Sequence, residues 1–246
     1  MENENSSSFN DSKPKVIIIC CLHGDEVFGK KVFDFYQKER NKISNLKLIL
    51  ANEQALHRRK RYIDHDLNRS FPGSKNGNHE DRVAFKLLSD LKKNASYILD
   101  IHTTTSPLVV TPIIAKLTYK TKKIINLTPS KEVVVMNEDL LANSLIGQFP
   151  DRSVSIEFNC GFAKTSQAFK IINNIVSGIV FDLQEEKLFR KVFYINQKIN
   201  LNTKIPQNSV NFSYSRSVGG YPFLLYEKAY KDFQGFVADR PSKKLI

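Results

Sequence analysis

His23-Gly24-Asp25-Glu26 sets an imidazole and a carboxylate three residues apart, directly after the apolar run from Val16 to Leu22. Both side chains are ligands for a divalent cation, and both are costly to bury unless something binds them. The pair falls where a strand would turn into a helix, with Gly24 allowing a tight turn and the helix fixing Glu26. A catalytic zinc takes three protein ligands of this kind and keeps a fourth position for water, so a third ligand is expected elsewhere. His102 is the best candidate, because it ends the apolar stretch from Tyr97 to Ile101 and is followed by Thr103-Thr104-Thr105. An HxxE pair alone recurs by chance and usually sits solvated at a helix start. The preceding strand, the glycine and a second strand end favour the metal. Residues i and i+2 of a strand face the same way, so the Asp100 carboxylate can orient the His102 imidazole; the alternative for Asp100 is a strand-end cap.

A second cluster, Arg58 to Gly73, lies between those strands. A basic run is most often a solvated loop. Arginine is also suited to gripping a carboxylate through two parallel N–H groups, or to stabilising an oxyanion. Arg61 and Arg69 bracket Asp66 and Asn68, and Pro72-Gly73 ends the segment in a turn, so the spacing predicts an anion-recognition loop beside the metal. Farther on, Glu157 stands between Ile156 and Phe158 in the stretch from Ser153 to Phe158. A carboxylate desolvated by apolar neighbours keeps its proton more readily, which suits a group that takes and returns protons. On an ordinary strand the same side chain would face solvent.

His23 to Glu26, RYIDxDLNRxFPG from Arg61 to Gly73, DIHTTTS from Asp100 to Ser106 and IEFNCG from Ile156 to Gly161 run in one order over residues 15 to 165, with a fainter echo at Tyr226 to Tyr230. Together they resemble the succinylglutamate desuccinylase and aspartoacylase family of zinc-dependent amidohydrolases, related to the metallocarboxypeptidases, and the aspartoacylase branch most of all. The resemblance implies one zinc ion per chain held by His23, Glu26 and His102, with Glu157 as general base and Arg61 polarising the scissile carbonyl. It also implies that Asn68 and Arg69 hold a substrate carboxylate and that Tyr230 contacts the substrate. The implied reaction is hydrolysis of the amide bond of a small anionic N-acyl amino acid, N-acetylaspartate or a relative, to a carboxylate and a free amino acid.

Departures from the pattern bear on the substrate. The aspartoacylase branch carries a further arginine shortly before the glutamate; here Leu145-Ile146-Gly147-Gln148-Phe149 stands in that stretch, Arg152 is out of register, and Phe158-Asn159 replaces Gly-Pro. A substrate with a neutral side chain therefore stays open beside N-acetylaspartate. The segment after residue 186 is short for the family, which predicts a trimmed C-terminal part and a more open pocket. Two other functions fit part of the pattern. One is a metallocarboxypeptidase-type peptidase, whose third ligand usually lies much farther downstream than His102. The other is a non-catalytic small-molecule binding protein on the same scaffold, which has no need of a base beside a metal.

These residues need a frame. Val16 to Leu22, Leu46 to Ala51, Ser96 to His102, Leu108 to Ala115, Glu132 to Met136 and Ser153 to Phe158 read as strands. Helices are predicted over Glu26 to Glu39 (Val27, Val32, Phe35 and Tyr36 near one face), Glu80 to Leu91, Tyr119 to Asn126, Asp139 to Ile146 and Ser166 to Glu186. The alternation predicts an α/β fold, a mixed, largely parallel sheet between helices like that of zinc carboxypeptidases. Lys191 to Ile199, Val210 to Ser215 and Tyr221 to Leu225 predict a small β-rich C-terminal domain. Ligands in such sheets gather beyond the carboxyl ends of strands, where His23, His102 and Glu157 fall. The predicted division is a disordered N-terminal tail over 1–13, a zinc hydrolase catalytic domain over 14–186 and a short β-rich C-terminal domain over 187–246.

With 246 residues and 41% apolar content, the chain fits one large or two small domains. No run approaches the ~18 apolar residues of a membrane span, and the first residues lack a signal-peptide pattern. Cys20 and Cys21, adjacent in an apolar run, argue for a reducing compartment, the cytoplasm by default. The net charge of +12 comes from scattered Lys and Arg with no nucleic-acid module, so it reads as a solvated surface whose field steers anionic substrates. His57, His65 and His79 read as surface or supporting groups. Neither nucleic acid nor membrane is expected as a partner, and a homo-oligomer is compatible with the sequence without being specified by it.

Overall fold

All five residues of the first strand, Val16–Cys20, are buried. Val16, Ile18 and Cys20 belong to one apolar cluster and Ile17 and Ile19 to another, the alternation a pleated strand imposes when both its faces are covered. The structure is a computed structural model and describes residues 16–39, 43 and 45–246; the tail predicted over residues 1–13 lies outside them. In chain order the main elements are β1 (Val16–Cys20), α1 (Val27–Glu39), β2 (Leu46–Leu50), α2 (Glu53–His57), α3 (His79–Asn94), β3 (Tyr97–Thr104), β4 (Val110–Ile114), α4 (Tyr119–Asn126) and β5 (Glu132–Met136). There follow α5 (Glu138–Leu141), α6 (Leu145–Gln148), β6 (Ser153–Asn159), α7 (Ser166–Val180), β7 (Phe189–Asn200), β8 (Tyr221–Phe223), β9 (Phe233–Ala238) and β10 (Ser242–Leu245).

The strands form one sheet in the order β2-β1-β3-β6-β4-β5-β7-β9-β8, with β10 on β7. β2, β1, β3 and β6 are mutually parallel, and β4, β5 and β7 are parallel to one another. The two sets meet antiparallel where β4 pairs with β6. This is the mixed, largely parallel sheet that the alternating sequence predicts. Phe28, Val32 and Tyr36 of α1 and Ile172, Ile175 and Ile179 of α7 cover one face, while Leu87, Leu88 and Leu91 of α3 cover the other. Burying side chains of this size stabilises by about 1.5–3 kcal/mol each, so the β1–β3–β6 centre is held from both faces. β9, β8 and β10 extend the sheet antiparallel beyond and beside β7. Among the described residues, no helix is long and apolar enough to cross a membrane.

Several elements differ from expectation for local reasons. The buried stripe of α1 is Phe28, Val32 and Tyr36, at a strict four-residue spacing, so Val27 and Phe35 are exposed. α7 ends at Val180 rather than Glu186, because Asp182 turns left-handed (φ 49°) and Leu183 N–H donates back to Gly178. Lys123 then draws in Asp182 and Glu185. The helix predicted over Asp139 to Ile146 is two short ones, restarted where the Ser144 hydroxyl accepts the Gly147 N–H. Val210 to Ser215 is not a strand, because Phe212 has φ 62° and the Asn211 amide turns inward to bond Ser106 and Leu225.

Candidate active site

β1 stops at Cys20, the left-handed Cys21 (φ 56°) turns the chain, and His23 emerges beyond the strand's carboxyl end. The Gly24 N–H donates to the Arg61 carbonyl at 3.0 Å. A Cβ on Gly24 would lie 2.2 Å from the Ala55 carbonyl carbon, so close approach to α2 requires glycine here. The same contact ties the His23 turn to the basic loop. β3 lies beside β1 and β6 beside β3, and their parallel register sets His102 opposite Glu157. Three side chains distant in sequence thus meet at the ends of three adjacent central strands.

The Glu26 carboxylate lies between the two imidazoles. His23 Nδ1 is 2.5 Å from Glu26 Oε1, and His102 Nδ1 is 3.1 Å from Oε2. The Thr103 N–H donates to Oε2 at 2.9 Å. Each imidazole also has its outer nitrogen on a carboxylate: His23 Nε2 is 2.9 Å from Asp66 Oδ1, and His102 Nε2 is 2.9 Å from Asp100 Oδ2. The paired orientation expected of Asp100 and His102 is therefore present. One ligand atom from each of His23, Glu26 and His102 lies within 4.8 Å of the others, and all three residues are buried, so the group can hold a metal ion. Arg61 Nη2 donates to Asp66 Oδ2 at 3.3 Å, and its Nη1 is 3.6 Å from Glu26.

Charge and burial set opposed titrations. Burial works against the Glu26 and Asp66 carboxylates, yet the adjoining imidazoles hold both far below the usual carboxylate range. Burial likewise opposes charge on the histidines, and their carboxylate partners raise both, His102 strongly. Glu157 goes the other way. Desolvation lifts it to about 7, with Glu26 and Glu227 adding to the rise and His102 opposing it.

His23, Glu26, Arg61, Asn68, Arg69, His102, Glu157 and Tyr230, the eight residues picked out in the sequence, all line one open cleft. Asn68 Oδ1 accepts the Leu145 N–H at 2.9 Å, which leaves the amide nitrogen, a donor, to offer an anion. Arg69 is exposed and donates to the Asn68 carbonyl at 2.7 Å. Tyr230 stacks on Phe233 with ring centroids 4.2 Å apart, and burial raises its hydroxyl pKa.

Three supporting carboxylates were not assigned from sequence. Asp66 holds His23, but nothing in the loop distinguishes it from Asp64. Glu227 accepts from the Thr104 hydroxyl and from the N–H groups of Thr105 and Ala229, tying the Tyr230 segment to the end of β3. The fully buried Glu80 accepts the N–H groups of Ile63 (2.7 Å), Asp64 (3.0 Å) and His65 (3.3 Å) and the Asn52 amide (3.0 Å), bracing the loop between Arg61 and Asp66.

The profile of the succinylglutamate desuccinylase/aspartoacylase catalytic domain matches residues 12–125. A probable aspartoacylase of Prochlorococcus marinus (strain MIT 9515) is 35% identical over 103 residues, 37% of this chain and 35% of that protein. An N-acyl-aromatic-L-amino acid amidohydrolase of Xenopus tropicalis is 27% identical over 116 residues, 42% of this chain and 37% of that one. The matched stretch thus spans little more than a third of either relative's length. Among solved structures, murine aminoacylase 3 superposes with a TM-score of 0.73 at 15% identity, covering 94% of this chain and 96% of the other. The succinylglutamate desuccinylase of Chromobacterium violaceum gives 0.71 at 14% identity, covering 95% and 86%. At such identities these two likenesses speak for the fold. Residues 12–125, just under half of the chain, thus match the catalytic domain of the succinylglutamate desuccinylase/aspartoacylase family, and the chain shares the architecture of its solved members.

Proposed function

We propose that this chain is a zinc-dependent amidohydrolase that cleaves an N-acyl amino acid to a carboxylate and a free amino acid. The observation that carries the reading is the register of β3 and β6, which sets Glu157 opposite His102 and in the same cleft as His23 and Glu26. Two imidazoles and a carboxylate at a cleft wall form the donor set of a catalytic zinc rather than of a closed structural one, and a carboxylate on the outer nitrogen of each histidine fits that use. A zinc ion there would supply Lewis-acid charge and make a water acidic enough to lose a proton near neutral pH.

The chain's own residues divide the remaining work. Glu157, raised toward neutrality by desolvation, takes a proton from the attacking water and returns it to the departing amine. Arg61 aims fixed positive charge at the oxygen that becomes negative as the carbonyl is attacked. Asn68 and Arg69 present N–H donors to the substrate carboxylate, and Tyr230 closes the cleft beside them.

The test is metal analysis of the purified chain with turnover of N-acetyl, N-formyl and N-succinyl amino acids, scored by release of free amine. Bound zinc at one per chain with release from at least one compound is expected. A zinc-loaded protein inert toward the whole panel would remove the proposal.

A further inference from the structure

The catalytic cleft adjoins a second space of about 440 Å³, counted with the open solvent at its mouth. Asn68, Arg69, Glu157, Leu224 and Tyr230 line both. Beyond that shared rim the wall consists of Ile113, Met136, Leu140, Leu141, Ile146 and Phe236, with the hydroxyls of Ser144 and Ser155. These apolar residues come from β4, β5, α5, α6 and β9, and all but Leu140 are buried in one cluster. Ser144 has its hydroxyl committed to the Leu141 carbonyl and the Gly147 N–H. Among the described residues, the charged side chains lining this space are Arg69 and Glu157, both on the rim.

We propose that this second space receives an apolar side chain of the amino acid, while the α-carboxylate stays at Asn68 and Arg69. The inference rests on the N-acyl amino acid reading and narrows it. An amino acid's side chain and carboxylate branch from one carbon, so a space sharing the carboxylate-facing residues is within reach of the side chain. It shares none of His23, Glu26, Arg61 and His102, where the acyl carbonyl must sit, so the acyl group is the poorer occupant. A second carboxylate would enter an apolar wall with no cation beyond the rim to pair it, and it would lose its hydration.

The experiment uses the metal-loaded chain with N-acetylglycine, N-acetyl-L-leucine, N-acetyl-L-phenylalanine and N-acetyl-L-aspartate, measuring kcat/KM and, by calorimetry, binding. Leucine or phenylalanine should exceed glycine on the order of 100-fold, and aspartate should fall below glycine. Aspartate equal to or above leucine overturns this assignment while leaving the hydrolase reading intact. Preferential binding of N-acetyl-L-leucine without turnover supports the assignment and removes the hydrolase reading; neither binding nor turnover overturns both. Lengthening the acyl chain on glycine should give no comparable gain, and a matching gain would assign the space to the acyl group instead. Leu140→Trp, at a half-buried wall position, should collapse the leucine-to-glycine ratio of kcat/KM, whereas an unchanged ratio counts against the proposal.

Discussion

Asp66 Oδ1 lies 2.9 Å from His23 Nε2, the nitrogen turned away from Glu26. Its other oxygen accepts from Arg61, so one carboxylate orients both the His23 imidazole and the guanidinium next to it. Asp66→Asn keeps the shape and removes the charge. Zinc affinity should fall about 10- to 100-fold, read by competition with a chelator. If the affinity stayed at the wild-type value, the His23 contact would not be tuning the metal site.

Metal uptake should also depend on pH. The carboxylate partners raise the pKa of both His23 and His102, so the metal-free site keeps protons on its imidazoles to a higher pH than free histidine would. A metal ion must displace them. Apparent affinity should therefore climb as pH rises from 6 to 8, with proton release visible as a dependence of the binding heat on the buffer. A flat affinity over that range would mean that the histidines are already neutral.

Glu157 gives a second pH signature. Burial raises it from its ordinary 4.5 to about 7, so its favourable contribution to the metal-free fold is complete below 4.5 and is lost as pH rises through about 7. Ionised at pH 8, it costs on the order of 3 kcal/mol. Glu157→Gln should raise the melting temperature of the metal-free protein at pH 8 and leave it nearly unchanged at pH 5. In the loaded enzyme the same variant should retain zinc and lose about 10²- to 10⁴-fold in kcat. Near-normal turnover by this variant would end its role as the base.

How much of this was legible in the sequence depends on how far each feature reaches. The convergence of His23, Glu26 and His102 could be read because strand periodicity and a strand-to-helix turn aim side chains locally, and the central sheet does the rest. Asp66 could not be separated from Asp64, since a loop has no period to say which carboxylate turns inward. β9 was missed because Phe233-Gln234-Gly235-Phe236 breaks the two-residue alternation and Gly235 has φ 141°. The apolar second space was invisible because its wall is assembled from five elements spread from Ile113 to Phe236.

Glu80 tests whether the basic loop must be held still. Its carboxylate accepts three consecutive backbone N–H groups and the Asn52 amide, all within the protein. In Glu80→Gln one accepting oxygen becomes an NH₂ that faces N–H donors, a loss of about 1–3 kcal/mol at a buried site. Hydrogen exchange should quicken over residues 61–69, and kcat/KM should drop while zinc stoichiometry holds. Activity lost in step with zinc would instead indicate collapse of the whole site.

Substitution of Arg69 tests the proposed carboxylate grip apart from the chemistry. Arg69 touches neither histidine in the contacts described; its Nη1 donates to the Asn68 carbonyl, which holds the guanidinium at the rim shared by the two spaces. A charge-assisted bond to a carboxylate contributes about 1.5–3 kcal/mol, so Arg69→Ala should raise KM about 10- to 100-fold for carboxylate-bearing substrates, with zinc content unchanged. Arg69→Lys keeps the charge without the planar fork and should recover part of that loss. Amidated substrates, which lack the carboxylate, should be nearly indifferent to either change. An Arg69→Ala enzyme with wild-type KM toward the acid substrates would place the carboxylate elsewhere in the cleft.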